Sequence, residues 1–517
     1  MTAEQLVATM DEYWHDDQAN LIAVDQALMA YEQNPEQYKK EKSGWLCREM
    51  LKIACCGEAK ELHYFLSAIV EVTGNRDVYI ELIRLCMEDN HLSKEQRFFA
   101  YCQLMRYRFT HPETNCGEIL ELLDDLYEKI YQAYHADLAD LFCKIPQKLR
   151  NKDLMIVITS QVLSGEHGPT KALLDRCYIL ASKMNKSVFI INTADTLPND
   201  KWIPWYKIHK GSYKEELCEE EYLSYKGYDF AYFQCPDGVP DVSIIREIMG
   251  IIAEEKPWCI ISLGGENLTA DLCSEIVPVL TVGLGSDRAE CRTTFQTTGH
   301  KMNPEDVAWI QKNRLPKDHN IEGIFTFALK KQKYQYERPQ LGLPDDKTVC
   351  LVVGSRLDDE ITEQFAELLS NLIENDIYIA VVGIVERFAR TIKEMGKDIE
   401  NNILLLGHQE DTMAVCECCD IYLNPKRLGG GTTAAEALYK GVPVITQNYG
   451  DVAVGVGEEF WVKDYDEMYA ETMHLIQDRE YYRMKSDKAK ERAKVLMDSE
   501  TEFVRIIKEM ESRESFF

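Results

Sequence analysis

Two periodicities divide the chain. Over residues 1 to about 150, apolar side chains recur at helical spacing: Leu6-Val7, Met10 and Trp14; Leu46, Met50-Leu51 and Ala54; Ile80, Leu82-Ile83 and Met87; Leu120, Leu122-Leu123 and Leu126. Breaks fall near Asn34-Pro35, Gly74-Asn75 and Pro112. The pattern predicts an all-α domain of about six to eight helices, with no fixed repeat of tandem-helix length. At Asp153 the pattern changes. Short apolar runs predict strands at Leu154–Thr159, Val188–Asn192, Asp229–Phe233, Trp258–Leu263 and Val277–Val282, with Ile324–Phe327 as the last of this series. Helices are predicted over Thr170–Met184 and Val242–Glu255. A second series follows the polar segment Lys330–Lys347: Val349–Val353, Ile377–Val382, Ile403–Leu406, Ile421–Leu423 and Val442–Thr446, then charged helices from about Tyr465 to Ser515. Strands alternating with helices imply parallel sheets covered on both faces. The expected fold class is therefore α/β, with doubly wound domains over 151–335 and 336–517 behind an all-α domain over 1–150.

Composition narrows the function classes. The 517 residues carry a formal net charge of −29, which argues against nucleic acid and anionic membrane surfaces as partners. No apolar run approaches the length of a membrane span, and the N-terminus is acidic without a signal pattern. A cytoplasmic location is expected. The 17 cysteines are scattered, without paired C-x-x-C motifs at zinc spacing, and read as reduced, mostly buried thiols. Whether the chain forms a homo-oligomer stays open.

The densest chemistry lies in Asn424–Gly450, NPKRLGGGTTAAEALYKGVPVITQNYG. It reads as a strand end, a glycine-rich turn, a helix and a second buried strand. Gly429, Gly430 and Gly431 permit close backbone approach to a ligand. Thr432 and Thr433 follow at the helix start, where hydroxyls and N–H groups converge into an anion site suited to phosphate. Glu436, one turn on, can accept from two vicinal hydroxyls such as those of a ribose. The alternative is a plain turn joining a strand to a packing helix.

Thr432, Thr433, Glu436 and Gly441-Val442-Pro443-Val444-Ile445-Thr446 resemble the nucleotide-sugar site of GT-B glycosyltransferases, above all the O-linked N-acetylglucosamine transferase family and its bacterial relatives. That family usually carries Asp where this chain has Glu436. The resemblance covers 153 to the end and implies two Rossmann-like domains facing one cleft. It implies a UDP-sugar donor, transfer of a hexose or N-acetylhexosamine, and a protein acceptor. A saccharide or lipid-linked acceptor is the alternative, as is a non-catalytic GT-B-like partner subunit. The helical domain is expected to serve acceptor recognition or to hold the catalytic unit together.

Further pieces fit the same frame. Arg356, after the strand Val349–Val353, offers a planar fork of donors to a diphosphate leaving group. It can instead pair with Asp358, Asp359 or Glu360. Lys426 and Arg427 are further candidates for phosphate neutralisation. The resemblance places His408 and Gln409 in the base pocket. His167, in Ser164-Gly165-Glu166-His167-Gly168-Pro169-Thr170, resembles the family's His-Pro-Thr element with one residue inserted, and is a candidate general base or sugar-orienting group. Gly264-Gly265-Glu266-Asn267, another turn after a strand, is a candidate for sugar hydroxyls or acceptor. Many retaining GT-B enzymes carry a second glutamate eight positions before the ribose-binding one. Position 428 is Leu428, which favours inversion. No D-x-D triplet sits at a strand end facing the cleft, so no metal or other cofactor is expected beyond the UDP-sugar itself.

Overall fold

The computed structural model describes the chain except residues 16–20, 34–39, 57–60, 115, 166, 196–197, 199–201, 286–287, 329–330, 390–391, 393–400 and 514–517. The expected break at Asn34-Pro35 lies outside the described residues. The chain divides into two compact units. One joins Met1–Phe142 with Thr193–Tyr213 and Cys235–Ile251; the other joins Cys143–Asn192, Lys214–Gln234 and Ile252–Phe517.

The first unit begins with seven described α-helices, from Ala3–His15 to Gly117–Leu138. Their buried residues follow the helical spacing of the sequence: Leu6 and Met10, Ile80 and Ile83, Leu123 and Leu126. What the periodicity did not announce is the later segment inserted among them. The Gln103 amide bonds the backbone of His209 twice, at 2.7 and 3.1 Å. Ser67 Oγ accepts from Tyr206 N at 2.9 Å, and Tyr134 donates to the Pro240 carbonyl at 2.7 Å. The helical region is therefore completed by residues far along the chain. Cutting near residue 150 would strip the helices from Thr193–Tyr213.

The second unit holds two sheets. The first contains β1 (Asn151–Thr159), β2 (Ser187–Asn192), β3 (Tyr222–Tyr225), β4 (Tyr228–Gln234), β5 (Pro257–Leu263), β6 (Val279–Val282), β7 (Phe295–Thr298) and β8 (Asn320–Glu322). Their order is β3-β4-β2-β1-β5-β6-β7-β8, parallel throughout except for the β3–β4 hairpin. The second contains β9 (Val349–Val353), β10 (Tyr378–Val382), β11 (Ile403–Gly407), β12 (Ile421–Leu423), β13 (Val444–Gln447) and β14 (Trp461–Val462), ordered β11-β10-β9-β12-β13-β14 and all parallel. Each sheet winds first to one side of its opening strand and then to the other. The reversals fall between β1 and β5 and between β9 and β12. Crevices for ligands open beyond the carboxyl ends of strands at such points.

Two expectations are corrected. The last strand of the first sheet is Asn320–Glu322, not Ile324–Phe327. The latter residues instead tie down the terminal helices: Ile324 N donates to Glu502 at 2.9 Å and Phe327 N to the Leu496 carbonyl at 2.8 Å. The final helix, Ser499–Arg513, was grouped with the second domain. It buries Phe503, Ile506, Ile507 and Met510 in the core of the first sheet. β3, β7, β8 and β14 escaped the sequence reading. They are two to four residues long, and FQTT and NIE lack an apolar alternation.

Candidate functional site

The crevice at the strand ends of the second sheet is assembled around one buried guanidinium. β12 ends at Leu423, and the chain turns through Asn424-Pro425-Lys426-Arg427. Arg427 is 3% exposed. It donates to Asn424 Oδ1 at 2.8 Å, Glu360 at 2.9 Å, the Val353 carbonyl at 2.8 Å and the Tyr422 hydroxyl at 3.0 Å. A charge this deep persists only when paired and hydrogen-bonded. Its bonds hold the ends of β9 and β12 together. Arg427 was a candidate for phosphate; the structure makes it the prop of the turn instead. Gly430 has φ +105°, and a Cβ there would meet the Arg427 guanidinium at 2.7 Å. A Cβ at Gly354 would meet it at 2.5 Å. Glycine is required at both places because the arginine fills the space of a side chain.

Arg356 follows β9 and pairs with Glu360 at 3.0 Å, the local carboxylate pairing that the sequence allowed. Glu360 is shared with Arg427, however. Two guanidinium groups on one buried carboxylate leave a net positive charge at the end of β9. Arg356 is partly exposed, so this charge meets solvent there.

Gly430 leads into the helix Gly431–Tyr439. Ala434, Ala435, Ala437 and Leu438 pack inward, leaving Thr432, Thr433 and Glu436 half-buried on the other side. Neither threonine hydroxyl makes a hydrogen bond among the described residues. The Glu436 carboxylate accepts from the Thr412 hydroxyl, a contact that no sequence signal had flagged. Lys426 is exposed, its ammonium 5.3 Å from the Tyr449 ring centre. His408 is exposed, and Gln409 turns back to the Leu406 carbonyl at 2.7 Å. Leu428 is buried.

On the first sheet, His167 is the last residue before the helix Gly168–Met184, and the inserted Gly168 is that helix's first residue. Pro169 occupies the first turn, where its missing N–H costs nothing. His167 Nδ1 lies 3.0 Å from the hydroxyl of buried Thr170, which also accepts from Leu163 N at 2.9 Å. Burial lowers the His167 pKa below the ordinary imidazole value, and the Lys171 charge lowers it further. After β5, Gly264 and Glu266 both take positive φ, at +100° and +62°. Asn267 is buried: its carbonyl caps the helix Leu268–Cys273 through Ala270 N, and its amide donates to Ser160, each at 2.9 Å. That side chain is committed to holding the β5 turn against the end of β1.

Two residues were missed. Lys171, half-buried one turn after His167, stands within electrostatic reach of Glu436. Asp451 approaches from the helix Gly450–Val456: a Cβ at Gly285 would meet its Oδ1 at 3.0 Å, and one at Gly431 its Cβ at 3.5 Å. These contacts show the two sheets facing one another across the crevice. Among the described residues, no group of three or more His, Cys, Asp or Glu side chains is placed to hold a metal.

Residues 334–493 match the model of the glycosyl transferases group 1 family. A curated relative, a trehalose synthase of Pyrococcus horikoshii, is 32% identical over 114 residues, and the match spans 21% of this chain and 28% of that protein. A mutant O-GlcNAc transferase of Thermobaculum terrenum shares the fold over 99% of this chain and 98% of its own, with TM-score 0.52 at 13% identity. A glycosyltransferase of Rickettsia africae aligns over 70% of this chain and 98% of its own, with TM-score 0.48 at 13% identity. The architecture is that of GT-B glycosyltransferases preceded by a helical region.

The buried arginine gives a first prediction. Arg427→Ala should strand Glu360 and destabilise the second sheet's domain by about 3–5 kcal/mol. Differential scanning calorimetry should show a clear fall in Tm. A melt indistinguishable from the parent would contradict the role given to this ion pair.

Proposed function

We propose that this GT-B protein is a glycosyltransferase that moves a hexose or N-acetylhexosamine from a UDP-sugar to a protein side chain. The observation that carries the reading is the turn Gly430–Thr433, propped by Arg427 and leading into a helix whose Glu436 lies within electrostatic reach of Lys171, one turn after His167. The diphosphate is assigned to Gly430, Gly431, Thr432, Thr433 and Arg356. Glu436 takes the ribose, and the loop of His408 and Gln409 takes the base. Lys426 neutralises charge at the rim. Gly264, Gly265, Glu266 and Asn267 shape the sugar and acceptor side, Asn267 as a brace. The match of 334–493 to a glycosyltransferase family supports the reaction class.

In this reading the bond from the anomeric carbon to the diphosphate oxygen breaks as the acceptor attacks. Negative charge grows on the departing UDP, where Arg356 and the helix N-terminus stabilise it. Such groups help most when fixed before the reaction, and the Arg356–Glu360–Arg427 cluster is fixed. His167 is assigned the acceptor proton. A base must be unprotonated to act, and its burial keeps the imidazole neutral at pH 7. Transfer is assigned as inverting and metal-independent.

A second reading draws on the trehalose synthase relative, whose name points to a saccharide product. It gives the same donor chemistry with a saccharide acceptor. The helical unit that precedes the GT-B domains favours a protein acceptor, because a surface of that size suits a macromolecule.

A screen of nucleotide sugars that follows UDP release, with and without protein or saccharide acceptors, tests the reading. Release of UDP from at least one UDP-sugar is expected, with Arg356→Ala slowing turnover by on the order of a hundredfold. Thr433→Ala should weaken UDP binding by about 1.5–3 kcal/mol in calorimetry. No turnover of any nucleotide sugar would favour the non-catalytic partner instead.

Activity should persist in excess EDTA; abolition by chelation with recovery on adding Mn²⁺ would refute metal independence. The pH profile of kcat/KM should have an acidic limb below the ordinary imidazole pKa of 6.5. That limb falls as His167 gains its proton, and His167→Gln should remove it. An unchanged limb in that variant would move the base elsewhere.

A further inference from the structure

Lys171 has no place in the reading above, yet its surroundings are unusual for a lysine. Lysines keep their ammonium in water or pair it with a carboxylate. Lys171 is half-buried in the crevice, and among the described residues no carboxylate lies within 4.0 Å of its Nζ. Its backbone is fixed in the first turns of the helix Gly168–Met184, with its N–H donating to the His167 carbonyl at 2.9 Å. Across the crevice stands Glu436, on the helix whose first turn carries Thr432 and Thr433. Glu436 is engaged by Thr412, so it is not a dedicated counter-ion for the lysine.

We propose that Lys171 is a donor-binding residue contributed by the acceptor-side domain: its ammonium contacts the diphosphate held at Gly430–Thr433 and so joins the two domains through the donor. The proposal rests on the UDP-sugar reading of the site and extends it to a residue on the opposite wall.

Charge balance supports it. On the donor side, Arg356, Arg427 and Glu360 together supply one net positive charge. A diphosphate ester brings two negative charges. Asp451, near Gly431, adds another. His167 is neutral in the working state. Glu436 adds a further negative charge and Lys426, at the rim, a positive one; Lys171, on the first domain's crevice wall, can offset part of what remains. Burial depresses its pKa, and the attraction of Glu436 only partly restores it. An arriving phosphate would stabilise the charged form further. A cation held ready in a partly dehydrated crevice binds an anion with little reorganisation.

Titration calorimetry on the full-length protein tests this with three probes: UDP, UMP and uridine. Lys171→Met keeps the length and apolar stem of the side chain and removes the charge. UDP affinity should fall by about tenfold or more, the scale of one charge-assisted hydrogen bond. UMP affinity should fall less, and uridine affinity should be unchanged. Lys171→Arg should restore most of the UDP affinity. Circular dichroism melts matching the parent confirm that the variants fold. Equal UDP affinity in parent and Lys171→Met would overturn the role of Lys171 while leaving the donor site standing. An equal loss for UDP and uridine would also overturn it, since the defect would then not follow the phosphates. If the parent itself binds none of the probes, the UDP-sugar reading falls and the proposal falls with it.

Discussion

The crevice of the second sheet depends on keeping one guanidinium out of water. Arg427 is buried between the ends of β9 and β12, where an isolated charge would cost several kcal/mol. Four hydrogen bonds, one of them to the carboxylate of Glu360, make its position tolerable. The same bonds fasten the ends of two paired strands and the short helix that carries Glu360. Gly354 and Gly430 are consequences of this, because the guanidinium lies where their side chains would be. The backbone of the glycine turn is thus shaped from beneath by a buried ion pair.

Sheet topology decides where that turn faces. Both sheets reverse their winding after the opening strand, so the loops following β1, β5, β9 and β12 gather at two reversal points. His167 and the Gly264 turn lie at one, Arg356 and Gly430–Thr433 at the other. The chain passes between the sheets twice, once through Gly323–Phe327 and once into Ser499–Arg513. The bond from Phe327 N to Leu496 O links the two passages. Seating Phe503, Ile506 and Ile507 in the first core pins the second passage, since apolar burial resists withdrawal of that helix.

The two walls differ in electrostatic character. The wall of the second sheet carries a shared carboxylate between two arginines, a cluster with a net positive charge. The opposite wall carries a neutral imidazole and a partly dehydrated ammonium on successive helical positions of one face, His167 and Lys171. Burial lowers the pKa of both. The same desolvation favours a neutral imidazole and raises the cost of an ammonium that has no carboxylate beside it.

Element type was legible in the sequence wherever a strand or helix ran long enough to show a period. Four of the seven described helices at the start were placed by their apolar spacing, and β1, β2, β4, β5, β9 and β10 were anticipated within a few residues, because burial on one face or both imposes a pattern on composition. The glycine turn leading into a helix at Gly431 was legible too, since three successive glycines interrupt a strand and an apolar helical pattern follows them. Short strands such as Phe295–Thr298 were not, because four polar-flanked residues carry no period and owe their state to neighbours already in the sheet. The roles of Arg427 and Asn267 were invisible for a different reason. A polar side chain looks the same in sequence whether it meets solvent, a ligand or a buried partner. Only the fold brings Glu360, Val353 and Tyr422 around Arg427, or Ser160 against Asn267. Lys171 and Glu436 are 265 positions apart in the sequence. What pairs them is the meeting of two sheets, a long-range event that local composition does not encode, while the helices and strands that make the meeting possible were written in the pattern of each segment.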